Sequence, residues 1–124
     1  MNKKTILIVE DEEYVRDFLD LLLRDKYIVI GSPDGVDAMN KINITPKIDL
    51  ILLDLHMPGI NGIDLLRTLK KEVDLDIPVI IVTAYSSPEI RDEAVELGVK
   101  DFISKPFSVD YLERSIRNIF EKQS

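Results

Sequence analysis

Five short apolar runs punctuate the chain: TILIV (5–9), YIVIG (27–31), LILL (50–53), PVIIV (78–82) and DFIS (101–104). Each has the length and the β-branched or aliphatic content of a strand. The first, third and fourth are apolar at nearly every position. That is the pattern of strands covered on both faces, as in a parallel sheet with helices on each side. Segments of helical period lie between the runs. Val15, Phe18, Leu19, Leu22 and Leu23 fall at i, i+3, i+4, i+7 and i+8, one stripe along a helix. Val36, Met39 and Ile42 repeat the theme, as do Leu65, Leu66, Leu69 and Val73, then Ile90, Ala94 and Leu97, then Leu112, Ile116, Ile119 and Phe120. Gly98 predicts a helix stop, and Ser108 with Asp110 predicts the start of the last helix. Five strands alternating with five helices predict an α/β fold, a parallel sheet joined by right-handed crossovers.

Composition narrows the class. The 124 residues contain no repeat, linker or low-complexity stretch, and the length suits one domain, expected over 1–124 with its core at 5–121. With 45% hydrophobic and 31% charged residues the mix is globular. No apolar run approaches the roughly 20 residues of a membrane span, and TILIV is too short for the apolar region of a signal peptide. The absence of cysteine excludes disulfides and thiolate metal sites and agrees with a reducing compartment, so a cytoplasmic protein without membrane contact is expected. Sixteen basic against twenty-three acidic residues give a net charge of −7. That charge opposes the phosphate neutralisation on which nucleic-acid affinity depends and argues against direct nucleic-acid contact.

In open parallel sheets ligands bind beyond the carboxyl ends of the strands. Glu10, Asp11 and Glu12 follow the first strand, Asp54 the third, Thr83 the fourth and Lys105 the fifth, so all converge on one edge. Clustered acids repel, and a hard divalent cation such as Mg²⁺, with oxygen ligands, is the simplest compensation. A lysine and a hydroxyl beside them suit a transferring phosphoryl group, whose chemistry is mainly positioning and charge neutralisation. Asp54 is then a candidate nucleophile that would form an acyl phosphate. Taken singly these residues have plainer readings. An aspartate at a strand end is commonly a turn former, a lone lysine a solvated charge, Phe102 a core aromatic, and Glu12 a first-turn acid facing the helix dipole. In MPGING, Pro58 fixes a turn while Gly59 and Gly62 allow the backbone angles of a tight loop.

The motifs ILIVEDE, LILLDLHMPGINGIDLL, PVIIVTAY and ELGVKDFISKPF, in this order and spacing, resemble the receiver domain of two-component response regulators, the CheY-like family, over residues 5 to 121. The resemblance implies a doubly wound, flavodoxin-like (βα)5 fold with strand order 2-1-3-4-5. It makes Asp54 the phosphoacceptor, and it assigns Mg²⁺ to Glu10, Asp11, Asp54 and the main-chain carbonyl of His56. Thr83 would bond the phosphoryl oxygens on activation, Lys105 would pair with them, and Phe102 would rotate with Thr83 from exposed to buried, altering the surface around residues 86 to 107. Lys105-Pro106 resembles the family's cis peptide. Implied partners are a histidine kinase or histidine phosphotransfer protein, and a downstream protein or an effector domain beyond EKQS. Such a chain catalyses only its own phosphorylation and dephosphorylation. The acidic pair is Glu-Asp where Asp-Asp is most usual, which makes Asp11 the surer direct ligand and leaves Glu10 to act directly or through a water. His56 and Tyr85 occupy positions that tune dephosphorylation in relatives. The His56 side chain, a surface-loop imidazole, is not expected to be a ligand.

Two other readings stand beside this one. A metal-dependent phosphohydrolase would want a second acid two residues after the first, where this chain has His56, and there is no Gly-Lys phosphate loop. A pseudo-receiver that only binds partners would lack the acceptor, the lysine or the acidic pair, and all three are present.

Overall fold

The computed structural model describes residues 2–57, 59, 61–72, 76–84 and 86–122. Pro58, Val73 and Tyr85, which carry a turn, a helix position and a site-flanking position in the sequence reading, lie outside the described residues. The strands are β1 (Thr5–Val9), β2 (Ile28–Ser32), β3 (Leu50–Leu53), β4 (Val79–Thr83) and β5 (Asp101–Ser104). They form one sheet in the order β2-β1-β3-β4-β5, every pairing parallel. The three strands whose sequences are apolar throughout are the three interior ones. A strand with neighbours on both edges and helices on both faces has no solvent side on which to place polar residues.

The helices are α1 (Glu13–Leu23), α2 (Gly35–Ile44), α3 (Gly62–Arg67), α4 (Pro88–Glu96) and α5 (Val109–Lys122). Alternate side chains of the sheet feed two cores. Leu7, Val9, Ile51, Leu53 and Ile81 pack with Ala38 of α2, Leu65 and Leu66 of α3 and Ala94 of α4. On the other face Ile6, Ile8, Leu52, Ile80 and Val82 pack with Leu19 and Leu23 of α1 and Leu112 and Ile116 of α5. The predicted α1 stripe is narrower than its spacing implied: Phe18 is 47% exposed, and only Leu19 and Leu23 reach full burial.

Helix starts follow side-chain capping. Asp34, Asn61 and Ser87 accept from Asp37 N, Ile63 N and Ile90 N, and Ser108 Oγ accepts from Tyr111 N at the head of α5. Gly98 ends α4 with φ +87°, the left-handed conformation glycine tolerates without penalty. The α3 segment, one helix by sequence period, continues as a π-helical stretch over Thr68–Glu72. Among the described residues no helix is long and apolar enough to cross a membrane.

Candidate functional site

The parallel register places the last residues of β1, β3, β4 and β5 side by side, so the acids, hydroxyl and lysine meet at one edge. Asp54 follows β3 directly, and its backbone N–H donates to Val9 O, so its position is held by the ladder itself. Its side chain is only 5% exposed. Oδ1 accepts from Thr83 Oγ1 at 2.7 Å and from His56 N at 3.0 Å, and Oδ2 faces Lys105 Nζ at 3.2 Å. Lys105 Nζ also donates to Glu10 Oε1 at 2.5 Å. Backbone bonds hold both residues in place: Lys105 N donates to Thr83 O, and Glu10 N to Ser32 O. The Lys105–Pro106 peptide is cis. A cleft of about 500 Å³, lined by Asp11, Glu12, Asp54, His56, Ala84 and Lys105, opens over the Asp54 carboxylate.

Burial sets the electrostatics. Glu10, 2% exposed, has its pKa pushed up to about 7, first by desolvation and further by the Asp54 charge, against the opposing hydrogen bond from Lys105. Desolvation works against the Lys105 ammonium, but its hydrogen bond to Glu10 and the charges of Asp54 and Glu10 outweigh it, and the pKa rises. One ammonium therefore serves two buried carboxylates, with Asp11 at the rim. Glu10, Asp11 and Asp54 each bring a carboxylate oxygen within 4.8 Å of the others. Three hard oxygen donors gathered this closely suit Mg²⁺.

All the residues read as a site from sequence, Glu10, Asp11, Asp54, Thr83 and Lys105, come together here, with the His56 backbone beside them and its side chain exposed. Two details differ from expectation. Thr83 already donates to Asp54 and Phe102 is already buried, at 8% exposure, with the Arg91 guanidinium 4.9 Å from its ring centroid. The arrangement that the resemblance implies for the phosphorylated form, Thr83 turned to Asp54 and Phe102 turned inward, is the one this structure holds. Gly62 also serves another purpose than backbone freedom. A Cβ there would stand 2.5 Å from Leu55 Cα and 2.6 Å from Asp54 O, so glycine lets the start of α3 press against the loop after β3; of the two loop glycines Gly59, at φ +79°, uses the left-handed region. Sequence reading also passed over Arg16, whose guanidinium donates to Glu10 O and Asp11 O.

A doubly wound sheet with this acidic edge defines the class, and the family comparison agrees. The response regulator receiver domain family matches residues 6–117, and the chain belongs to that family. The response regulator ArlR of Staphylococcus aureus is 38% identical over 119 residues, 95% of this chain and 53% of the relative. This chain thus spans about half the length of that curated relative. Among solved structures, the receiver domain of a signal transduction histidine kinase from Syntrophus aciditrophicus superposes with a TM-score of 0.85 at 33% identity, over 96% of this chain and 91% of the other. A CheY-like response regulator receiver domain protein from Methanospirillum hungatei gives a TM-score of 0.87 at 27% identity, over 98% of both chains.

Proposed function

We propose that this chain, as a single receiver unit over 1–124, accepts a phosphoryl group on Asp54 from a phosphohistidine of a histidine kinase or histidine phosphotransfer protein. The observation that carries the reading is the convergence on one carboxylate of Thr83 Oγ1, His56 N and Lys105 Nζ beside two further acids. A carboxylate oxygen of Asp54 attacks phosphorus, the P–N bond breaks as the P–O bond forms, and the leaving imidazole takes up a proton. Lys105 pairs with the negative charge of the arriving group, and Thr83 donates to one of its oxygens. The residues that would hold Mg²⁺ are Glu10, Asp11, Asp54 and the His56 carbonyl, and the ion supplies further charge neutralisation to the phosphoryl oxygens. The chain acts on its own aspartate and turns over no separate product pool. The setting is cytoplasmic, and the output passes through a protein partner or a linked effector.

The test is intact-protein mass after incubation with Mg²⁺ and acetyl phosphate. One added phosphoryl group is expected, and Asp54→Asn should abolish it. Equal labelling of the variant would overturn the assignment, and an unlabelled wild type would favour a pure interaction module.

A further inference from the structure

We propose that Arg16 is a positioning residue that aims the two acids after β1 into the pocket from behind, an inference that rests on the Mg²⁺ reading above. The loop from Val9 to Glu13 carries four consecutive acids, Glu10, Asp11, Glu12 and Glu13, and must turn from a strand into a helix within three residues. Mutual repulsion would splay such a loop; the α1 N-cap, Glu12, makes no side-chain capping bond, and within the loop Glu12 N donates to Glu10 Oε2 at 3.2 Å. Helix α1 begins with Arg16 N donating to Glu12 O, so the carbonyls of Glu10 and Asp11 lie outside the helical ladder. One nitrogen of the half-buried Arg16, Nη1, donates to both, at 2.7 Å to Glu10 O and 3.2 Å to Asp11 O. Clamping two successive carbonyls fixes the peptide planes between them, and with these the direction in which both side chains leave the backbone.

The clamp is itself held. Gly31 leaves its Cα face open to the Arg16 stem, so that a Cβ there would meet Arg16 Cδ at 3.5 Å. Beyond it Asp37 accepts from Ser32 Oγ at 2.7 Å and pairs with Lys41 at 2.8 Å, and Lys41 also donates to Gly31 O. The Asp37 carboxyl is held below its usual range chiefly by Lys41 and Ser32, with the Arg16 charge contributing in the same direction. Arg16 therefore holds the acidic loop through hydrogen bonds from α1, with its stem lying along Gly31 of β2. Groups that orient metal ligands without touching the metal commonly govern affinity by 10- to 100-fold.

Calorimetric titration of the unphosphorylated protein with Mg²⁺ tests the proposal. Arg16→Met keeps the aliphatic stem over Gly31 and removes the clamp. Its Mg²⁺ Kd should rise about 10- to 100-fold, while the phosphorylation rate from acetyl phosphate at saturating Mg²⁺ stays within about twofold of wild type. Arg16→Lys, which still offers a cationic donor, should lie closer to wild type than Arg16→Met. If Arg16→Met fails to fold in metal-free buffer, Arg16→Gln, which loses both charge and reach, decides by the same Kd. A folded Arg16→Met or Arg16→Gln with wild-type Kd overturns the proposal, as does a fall in maximal rate at unchanged half-saturating Mg²⁺. A wild type that shows no Mg²⁺ binding would instead sink the metal reading itself.

Discussion

Glu10 is nearly inaccessible, and its folded pKa of about 7 lies above the ordinary 4.5 chiefly because burial penalises its charge. A carboxyl whose pKa is raised on folding binds its proton more tightly in the native state. The stability this confers is complete below about 4.5 and disappears as the pH climbs through about 7. In metal-free buffer Glu10→Gln should therefore gain on wild type as pH rises from acid to neutral, measured by urea unfolding at several pH values; a difference independent of pH would contradict the buried charge. Lys105 counters Glu10 and Asp54 together, so Lys105→Met should lose about 2–4 kcal/mol without metal and recover part of it on adding Mg²⁺. The same denaturation series, with and without the ion, checks it. These residues were legible in sequence because strand register fixes where a strand-end residue must stand. Arg16 was not. Its partners are main-chain carbonyls, which carry no side-chain signature, and in sequence it looks like any solvated helix cation.

At the scale of elements, the link between α3 and the loop after β3 rests on Gly62. Its N–H donates to Leu55 O at 3.1 Å, and the space a side chain would need is already taken by the backbone of Asp54 and Leu55. Backbone cannot give way as a flexible side chain can, so Gly62→Ala should cost about 1–3 kcal/mol and also displace the acceptor. The expected signature is a lower melting temperature together with slower Asp54 phosphorylation, and a variant with wild-type values of both would show that the loop has slack. Strand identity was readable because the interior strands β1, β3 and β4 are buried on both faces and so apolar throughout. The π-helical stretch after Arg67 was not, since Thr68–Glu72 holds a single apolar residue, Leu69, too few to reveal a change of helical period. Phe18 was misplaced for a related reason: periodicity locates a stripe but not its edges, and a residue at i+3 from Val15 falls at the margin of the buried face.

Over the whole molecule, the acidic edge and the α4–β5 face meet along the β4–β5 pairing, where Ile81 stands opposite Phe102 and Thr83 opposite Ser104. Thr83 donates to Asp54 at 2.7 Å, Phe102 is buried in the core beneath α4, and Arg91 of α4 lies over its ring. A ligand can shift a two-state equilibrium only by its differential affinity for the two states. If the inward form already predominates, phosphorylation has little left to shift at Phe102. Its main effects should then be local charge and Mg²⁺ affinity. NMR with a beryllofluoride mimic and Mg²⁺ should accordingly show large shifts at Asp54, His56 and Lys105 and small ones at the Phe102 ring and along α4. Large Phe102 shifts on adding the mimic to wild type would show that the outward form dominates in solution, and that the phosphoryl group, not the bare Asp54 carboxylate, draws Thr83 in.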